Sequence, residues 1–164
     1  KQINGQSVQV YEYRVDNLDI HNSKDLTITP GRHVTFYLNG NIERGGDIIH
    51  DCSVAPGSGC QPTDFQIFGY GPAGSYICTN GNRYIDTFIL APNYYAGVAG
   101  SGGGQGGFRG AVWVGDWSNG SGCGSNTTNI TVVQTADWNA IGLTPRNLPP
   151  KLAPASTWER LTLP

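Results

Sequence analysis

The stretch from Phe88 to Trp117, FILAPNYYAGVAGSGGGQGGFRGAVWVGDW, constrains the fold more than any other part of the chain. Two apolar, β-prone runs, Phe88-Ile89-Leu90 and Ala111-Val112-Trp113-Val114, flank a turn signal at Ala91-Pro92-Asn93 and a glycine-dense segment from Gly97 to Gly110. Proline fixes φ, and asparagine tolerates the left-handed region. Glycine has no Cβ, so it lets one backbone approach another closely. Phe108 and Arg109 are the bulkiest side chains of that segment. Short strands joined by glycine-lined corners suit a solenoid in which each coil rests on the one before. A flexible loop between two strands of a sandwich is the competing reading.

The rest of the chain repeats the theme. Leu26-Thr27-Ile28 alternates apolar and polar, and Thr29-Pro30-Gly31 breaks it. Val34-Thr35-Phe36-Tyr37-Leu38 is the clearest strand of the first half, with Val34, Phe36 and Leu38 on one face. Phe65-Gln66-Ile67-Phe68, Tyr76-Ile77-Cys78-Thr79 and Ile130-Thr131-Val132-Val133 follow, and turn residues separate them. No segment carries a long amphipathic helical period. The expected fold is all-β, a short right-handed parallel β-helix over residues 1–137, and a β-sandwich is the alternative. Asn-Gly is a strong hairpin signal and favours the sandwich. The triplets Asn39-Gly40-Asn41 and Asn80-Gly81-Asn82 lie 41 residues apart, close to two coils, and stacked turns can ladder asparagines. Residues 138–164, with Pro145, Pro149, Pro150, Pro154 and Pro164, read as an extended tail held to the body by Leu148, Leu152, Trp158 and Leu161.

Composition excludes several function classes. Charged residues make up 13% of the chain, and the formal net charge is −2 with no basic cluster, so neither nucleic acid nor a membrane surface is an expected partner. Cys52, Cys60, Cys78 and Cys123 lie in polar, glycine-rich surroundings without Cys-x-x-Cys spacing. An even count in loops favours disulfides and an exported protein. Three pairings are possible; Cys52–Cys60, a local loop, with Cys78–Cys123 is the favoured one.

Motifs for chemistry are sparse. His21, His33 and His50 make no metal motif, and neither a metal nor a cofactor is expected. Asp47, His50 and Asp51 could pair an acid with an imidazole, but no nucleophile elbow accompanies them. Glycosidase chemistry needs two carboxylates. Asp64, Asp86, Asp116 and Asp137 are available, each equally suited to a turn or cap. No catalytic residue is assigned, and the chain reads as a non-enzyme. Tyr94, Tyr95 and Trp117, with Arg109 beside the glycine-rich segment, are the candidates for stacking on a glycan. Asn119, Asn126 and Asn129 begin glycosylation sequons.

Four segments in order, TPGRHVTFYLNGNI (29–42), DFQIFGYG (64–71), FILAPNYYAGVAG (88–100) and GGFRGAVWVGDW (106–117), resemble a known family. They are similar to the β-helical C-terminal domain of type IV pilus-associated, PilX-like proteins. They resemble especially the pseudopilin-like proteins linked to hormogonium polysaccharide secretion in filamentous cyanobacteria. The resemblance covers about residues 25–135 and implies the head of a minor pilin or pseudopilin, extracellular or at the cell surface. Its expected partners are other pilin subunits and surface polysaccharide. It also implies an apolar anchoring helix of about 20 residues upstream of Lys1, the only expected link to a membrane. The four cysteines and the proline-rich tail depart from the family pattern. A carbohydrate-binding module and a β-helix polysaccharide lyase are the alternatives.

Overall fold

The structure is a computed structural model and describes residues 2–3, 6–21, 24–43, 45–80, 83–99, 107–117 and Cys123. The strand expected at 130–133, the tail 138–164, Asp137 and the three sequons lie outside the described residues. Strands β1 (Gln2–Ile3) and β2 (Gln6–Ser7) form a small antiparallel pair. Every other pairing among the described residues is parallel, through β3 (Val10–Val15), β4 (Leu18–Asp19), β5 (Leu26–Thr27), β6 (His33–Leu38), β7 (Ile42–Glu43), β8 (Ile48–Ile49), β9 (Phe65–Gly69), β10 (Tyr76–Asn80), β11 (Tyr84–Ala99) and β12 (Gly107–Trp117).

These strands stack into three ladders. The first runs through β3, β6, β9, residues 88–90 of β11 and residues 111–113 of β12, where Leu90 lies beside Trp113. The second runs β4, β7, β10, then residues 95–99 of β11, with Asp116 and Trp117 beyond. The third joins β5 to β8, passes through the His50–Ile85 bridge, and ends where residues 84–87 lie beside residues 107–110. The chain is thus a parallel β-solenoid. A sandwich built of hairpins needs antiparallel neighbours, whereas parallel neighbours force the chain around a full circuit.

Register gives the length of each circuit. Val10 lies beside His33, Val34 beside Phe65, Gln66 beside Phe88 and Phe88 beside Ala111, so successive coils take 23, 31, 22 and 23 residues. The long coil contains the Cys52–Cys60 loop, whose ends are 8 residues apart in sequence but 5.3 Å apart at their α-carbons. The bridge therefore lets an inserted loop leave and rejoin the circuit at nearly one point.

Period-2 alternation sets the core. Val34, Phe36 and Leu38 point inward as expected and stack on Phe65 and Ile67, then on Ile89 and Ala91 of β11. On the opposite face of the first ladder, Phe88 and Ala111 form a second apolar cluster with Phe68 and Leu90.

The corners explain the Asn-Gly signals. Asn17 Oδ1 accepts the Asn41 N–H at 2.8 Å, and Asn41 Oδ1 accepts the Tyr76 N–H at 3.0 Å, an asparagine ladder between the first two faces. A Cβ on Gly40 would lie 2.1 Å from the Asp16 carbonyl oxygen, so the coil above rests directly on that backbone. Asn80 serves a different corner, where its Nδ2 donates to the Gly45 carbonyl at 2.6 Å. Asn41 and Asn80 therefore do not stack as equivalent turn residues two coils apart. Ala91-Pro92-Asn93 likewise ends no strand: β11 runs through it, and only the register with β12 slips between Ala91 and Tyr95.

Candidate functional site

The densest polar cluster sits on the third face, where the inserted loop meets the coils above it. Arg109 donates from Nε to Asp86 Oδ1 at 2.6 Å and from an Nη to Asp86 Oδ2 at 2.7 Å, a bidentate pair. The same Nη reaches Asp51 Oδ1 at 2.6 Å. Beneath it lies the Tyr84 ring, with the guanidinium carbon 4.2 Å from its centroid. Asp86 also accepts the Cys52 N–H at 2.6 Å, and Asp51 accepts both the N–H and the hydroxyl of Ser53. Register brings Arg109 beside Asp86, one coil apart, while the inserted loop delivers Asp51 and Cys52 from a third coil.

Electrostatics follow from this packing. Burial pushes the Asp51 carboxyl up, but hydrogen bonds from Ser53 and Arg109 outweigh it and hold the pKa below the ordinary value. Burial pulls Arg109 down, and its bonds to Asp86 and Asp51 more than reverse that. The cluster is a clamp across three coils in which every carboxylate is already engaged. It offers neither a free base nor a free acid.

Beside the clamp, His50 is fully buried. Its Nδ1 pairs with the Asp86 carbonyl oxygen; a carbonyl can only accept, so Nδ1 carries the hydrogen. Nε2 faces the Cys52–Cys60 bridge, 3.4 Å from Cys60 Sγ and 4.0 Å from Cys52 Sγ. The Phe65 ring meets the imidazole edge-on, with centroids 6.0 Å apart.

The glycan candidates do not converge. Tyr94 is 1% exposed, with its hydroxyl donating to the Leu38 carbonyl at 2.9 Å and accepting the Gly71 N–H at 2.7 Å, so it is a core strut between coils. Tyr95, its neighbour, faces out. Trp117 lies beside Ala96 and packs on Phe108, with ring centroids 5.8 Å apart. Arg109 belongs to another face and is committed to the clamp. Among the carboxylates, Asp64 is buried, accepts the Gln61 N–H and pairs with His33 at 3.1 Å, while Asp116 is exposed. Sequence reasoning missed an outward column on the first face. Tyr37 and Phe68 stack with centroids 5.9 Å apart, Tyr70 lies 6.2 Å from Tyr37, and Leu90 and Trp113 continue the register. Its signal was one outward aromatic in each of the β6 and β9 runs, Tyr37 and Phe68, with Tyr70 two residues further on.

Both disulfides pair as favoured, Cys52 with Cys60 and Cys78 with Cys123. They point to an oxidising environment, extracellular or periplasmic. Among the described residues, no helix is long and apolar enough to cross a membrane.

Fold and site together define a short, disulfide-stapled parallel β-solenoid whose main charged cluster ties its coils together. By sequence the chain belongs to the family described as Domain of unknown function (DUF7305), whose model matches residues 5–131. No curated protein and no solved structure matches it.

Proposed function

We propose that this chain is a non-enzymatic structural domain displayed at the cell surface, the head of a minor pilin or pseudopilin that supports filament assembly, adhesion or polysaccharide export. One observation supports the non-enzymatic part: the two acids of the clamp, Asp51 and Asp86, and the buried Asp64 are each engaged by partners within the chain. Engaged carboxylates and stapled coils suit a rigid spacer. The four segments similar to pilus-associated β-helical domains support the pilin part. Immunogold labelling of native cells with antibody to this domain tests it, with label expected along or at the ends of surface filaments. Label confined to the cytoplasm, or spread over a filament-free surface, removes the pilin assignment.

Carbohydrate binding is the second reading, favoured by the outward cluster in which Tyr37 stacks on Phe68 and meets Tyr70 at a tilt. Saturable binding on a glycan array that is lost in Tyr70→Ala would promote it. Cleavage of any polysaccharide by the purified domain would overturn the non-enzymatic reading.

A further inference from the structure

We propose that His50, Cys52 and Cys60 form a Zn2+ site once the Cys52–Cys60 bridge is opened, so that one corner of the solenoid has two interchangeable staples, disulfide and metal. The starting observation is a buried imidazole aimed at a disulfide. Nδ1 of the buried His50 gives its hydrogen to the Asp86 carbonyl, which fixes the ring and turns Nε2 toward the Cys52–Cys60 bridge. That nitrogen lies against the two bridge sulfurs. One imidazole nitrogen and two sulfurs, all within 4.8 Å of one another, form a donor set that a metal ion can share once the sulfurs part.

The distances fit. Zn–S of about 2.3 Å and Zn–N of about 2.0 Å across a tetrahedral angle place N and S about 3.5 Å apart. Nε2 already lies 3.4 Å and 4.0 Å from the two sulfurs. Only the sulfurs must separate from each other, and side-chain rotation allows that with the α-carbons left 5.3 Å apart. The donor set, one imidazole and two thiolates, suits a borderline-soft ion. The outer shell is in place as well, because a metal-bound histidine ordinarily donates its other N–H to a carbonyl or carboxylate. Asp86 supplies that carbonyl, and its own carboxylate is held by Arg109 and the Cys52 N–H. Three protein donors leave one tetrahedral position for water.

The chemistry balances with a named reductant. A dithiol passes two electrons and two protons to the bridge, closes to its own disulfide and leaves two thiols. Zn2+ then displaces the two thiol protons to solvent as it binds. In the test a trialkylphosphine replaces the dithiol, because it competes less for zinc. Phosphorus takes the oxygen of one water and becomes a phosphine oxide, and the two sulfurs take that water's hydrogens.

The experiment titrates the full chain with Zn2+ alone, oxidised and phosphine-reduced, and repeats the reduced titration with Co2+ as a spectroscopic probe. The reduced chain is expected to bind one Zn2+, and its Co2+ form to show tetrahedral ligand-field bands with thiolate-to-metal charge transfer. The oxidised chain is expected to bind none at this corner. Cys60→Ser, reduced, should bind more than 10-fold more weakly, a loss at the low end of about 10–100-fold that even an outer-shell change produces. Reduced Cys78→Ser should bind like the reduced parent. Equal binding by oxidised and reduced chain, unchanged affinity in Cys60→Ser, or Co2+ bound without a thiolate band each overturns the proposal. Should Cys60→Ser fail to fold, the parent's Co2+ spectrum decides alone, and a reduced parent that takes up no metal, folded or not, ends it.

Discussion

At Gly110 the backbone of one coil touches the backbone of the next. Its φ is +142°, and a Cβ there would lie 1.9 Å from the Thr87 carbonyl oxygen. Gly57, in the inserted loop, also has positive φ, +90°, but nothing lies within 4 Å of its would-be Cβ. Alanine at either site pays the backbone strain of a left-handed residue, about 1 kcal/mol. Only Gly110→Ala adds an overpacking term of about 1–3 kcal/mol against backbone that cannot turn aside. Urea unfolding should therefore rank Gly110→Ala well below Gly57→Ala, and equal losses would mean the coils do not rest on each other there. Asp51 gives a pH test. Its folded pKa is depressed, so its stabilisation is present above the ordinary aspartate value and lost as pH falls through the depressed one. Urea midpoints from about pH 5 to pH 2 should fall less steeply in Asp51→Asn than in the parent; parallel curves would detach Asp51 from the clamp. Residues also mark where sequence reading stops. Glycine density near Gly110 fits close backbone approach or a flexible loop, and at Gly110 itself the contact with Thr87 decides for the first. Tyr94 and Tyr95 are adjacent, and which one faces inward depends on the bend and register slip between Ala91 and Tyr95, a tertiary event without local signature.

Coils, more than strands, are the working elements of this chain. Three of the four circuits take 22 or 23 residues and one takes 31, and that irregularity hid the stacking of Asp51, Asp86 and Arg109. Strand runs such as residues 34–38 were legible because alternation is local. The clamp was not, because Asp86 and Asp51 lie 23 and 58 positions before Arg109 and share no fixed period. The two bridges act on coils unequally. Cys52–Cys60 closes 8 residues within one corner, whereas Cys78–Cys123 spans 45 and ties the third coil to a distant segment. In the chain-entropy model these loops are worth about 2.5 and about 4 kcal/mol. Replacing both cysteines of a pair by serine should cost about 1.5 kcal/mol more for the long bridge than for the short one, read from urea unfolding of the two double variants. The reverse order would show that the short bridge does more than close its loop, as a densely packed corner would require.

As a whole molecule, a solenoid is nearly one-dimensional, and each coil is held by its neighbours. The middle of this one has neighbours on both sides: β9 pairs with β6 and with β11, and Phe65, Ile67 and Phe88 are sealed from solvent. The first coil differs. Among the described residues β3 pairs only with β6, and Tyr13, stacked edge-on over Phe36, remains 51% exposed. The inward residues Tyr11, Val15, Leu18 and Leu26 line an open mouth of about 880 Å³ with Tyr13 at its rim. Nearest-neighbour energetics then require the first coil to open without the rest, because opening it breaks one interface while opening a central coil breaks two. Hydrogen exchange under native conditions should release the β3 amides first and those of β9 and residues 88–90 last. The gap should be at least about 100-fold in protection, or about 2.7 kcal/mol of opening free energy. Uniform protection from β3 to β12 would mean that the stacked layers unfold as a single unit, with the clamp and bridges overriding the one-dimensional hierarchy.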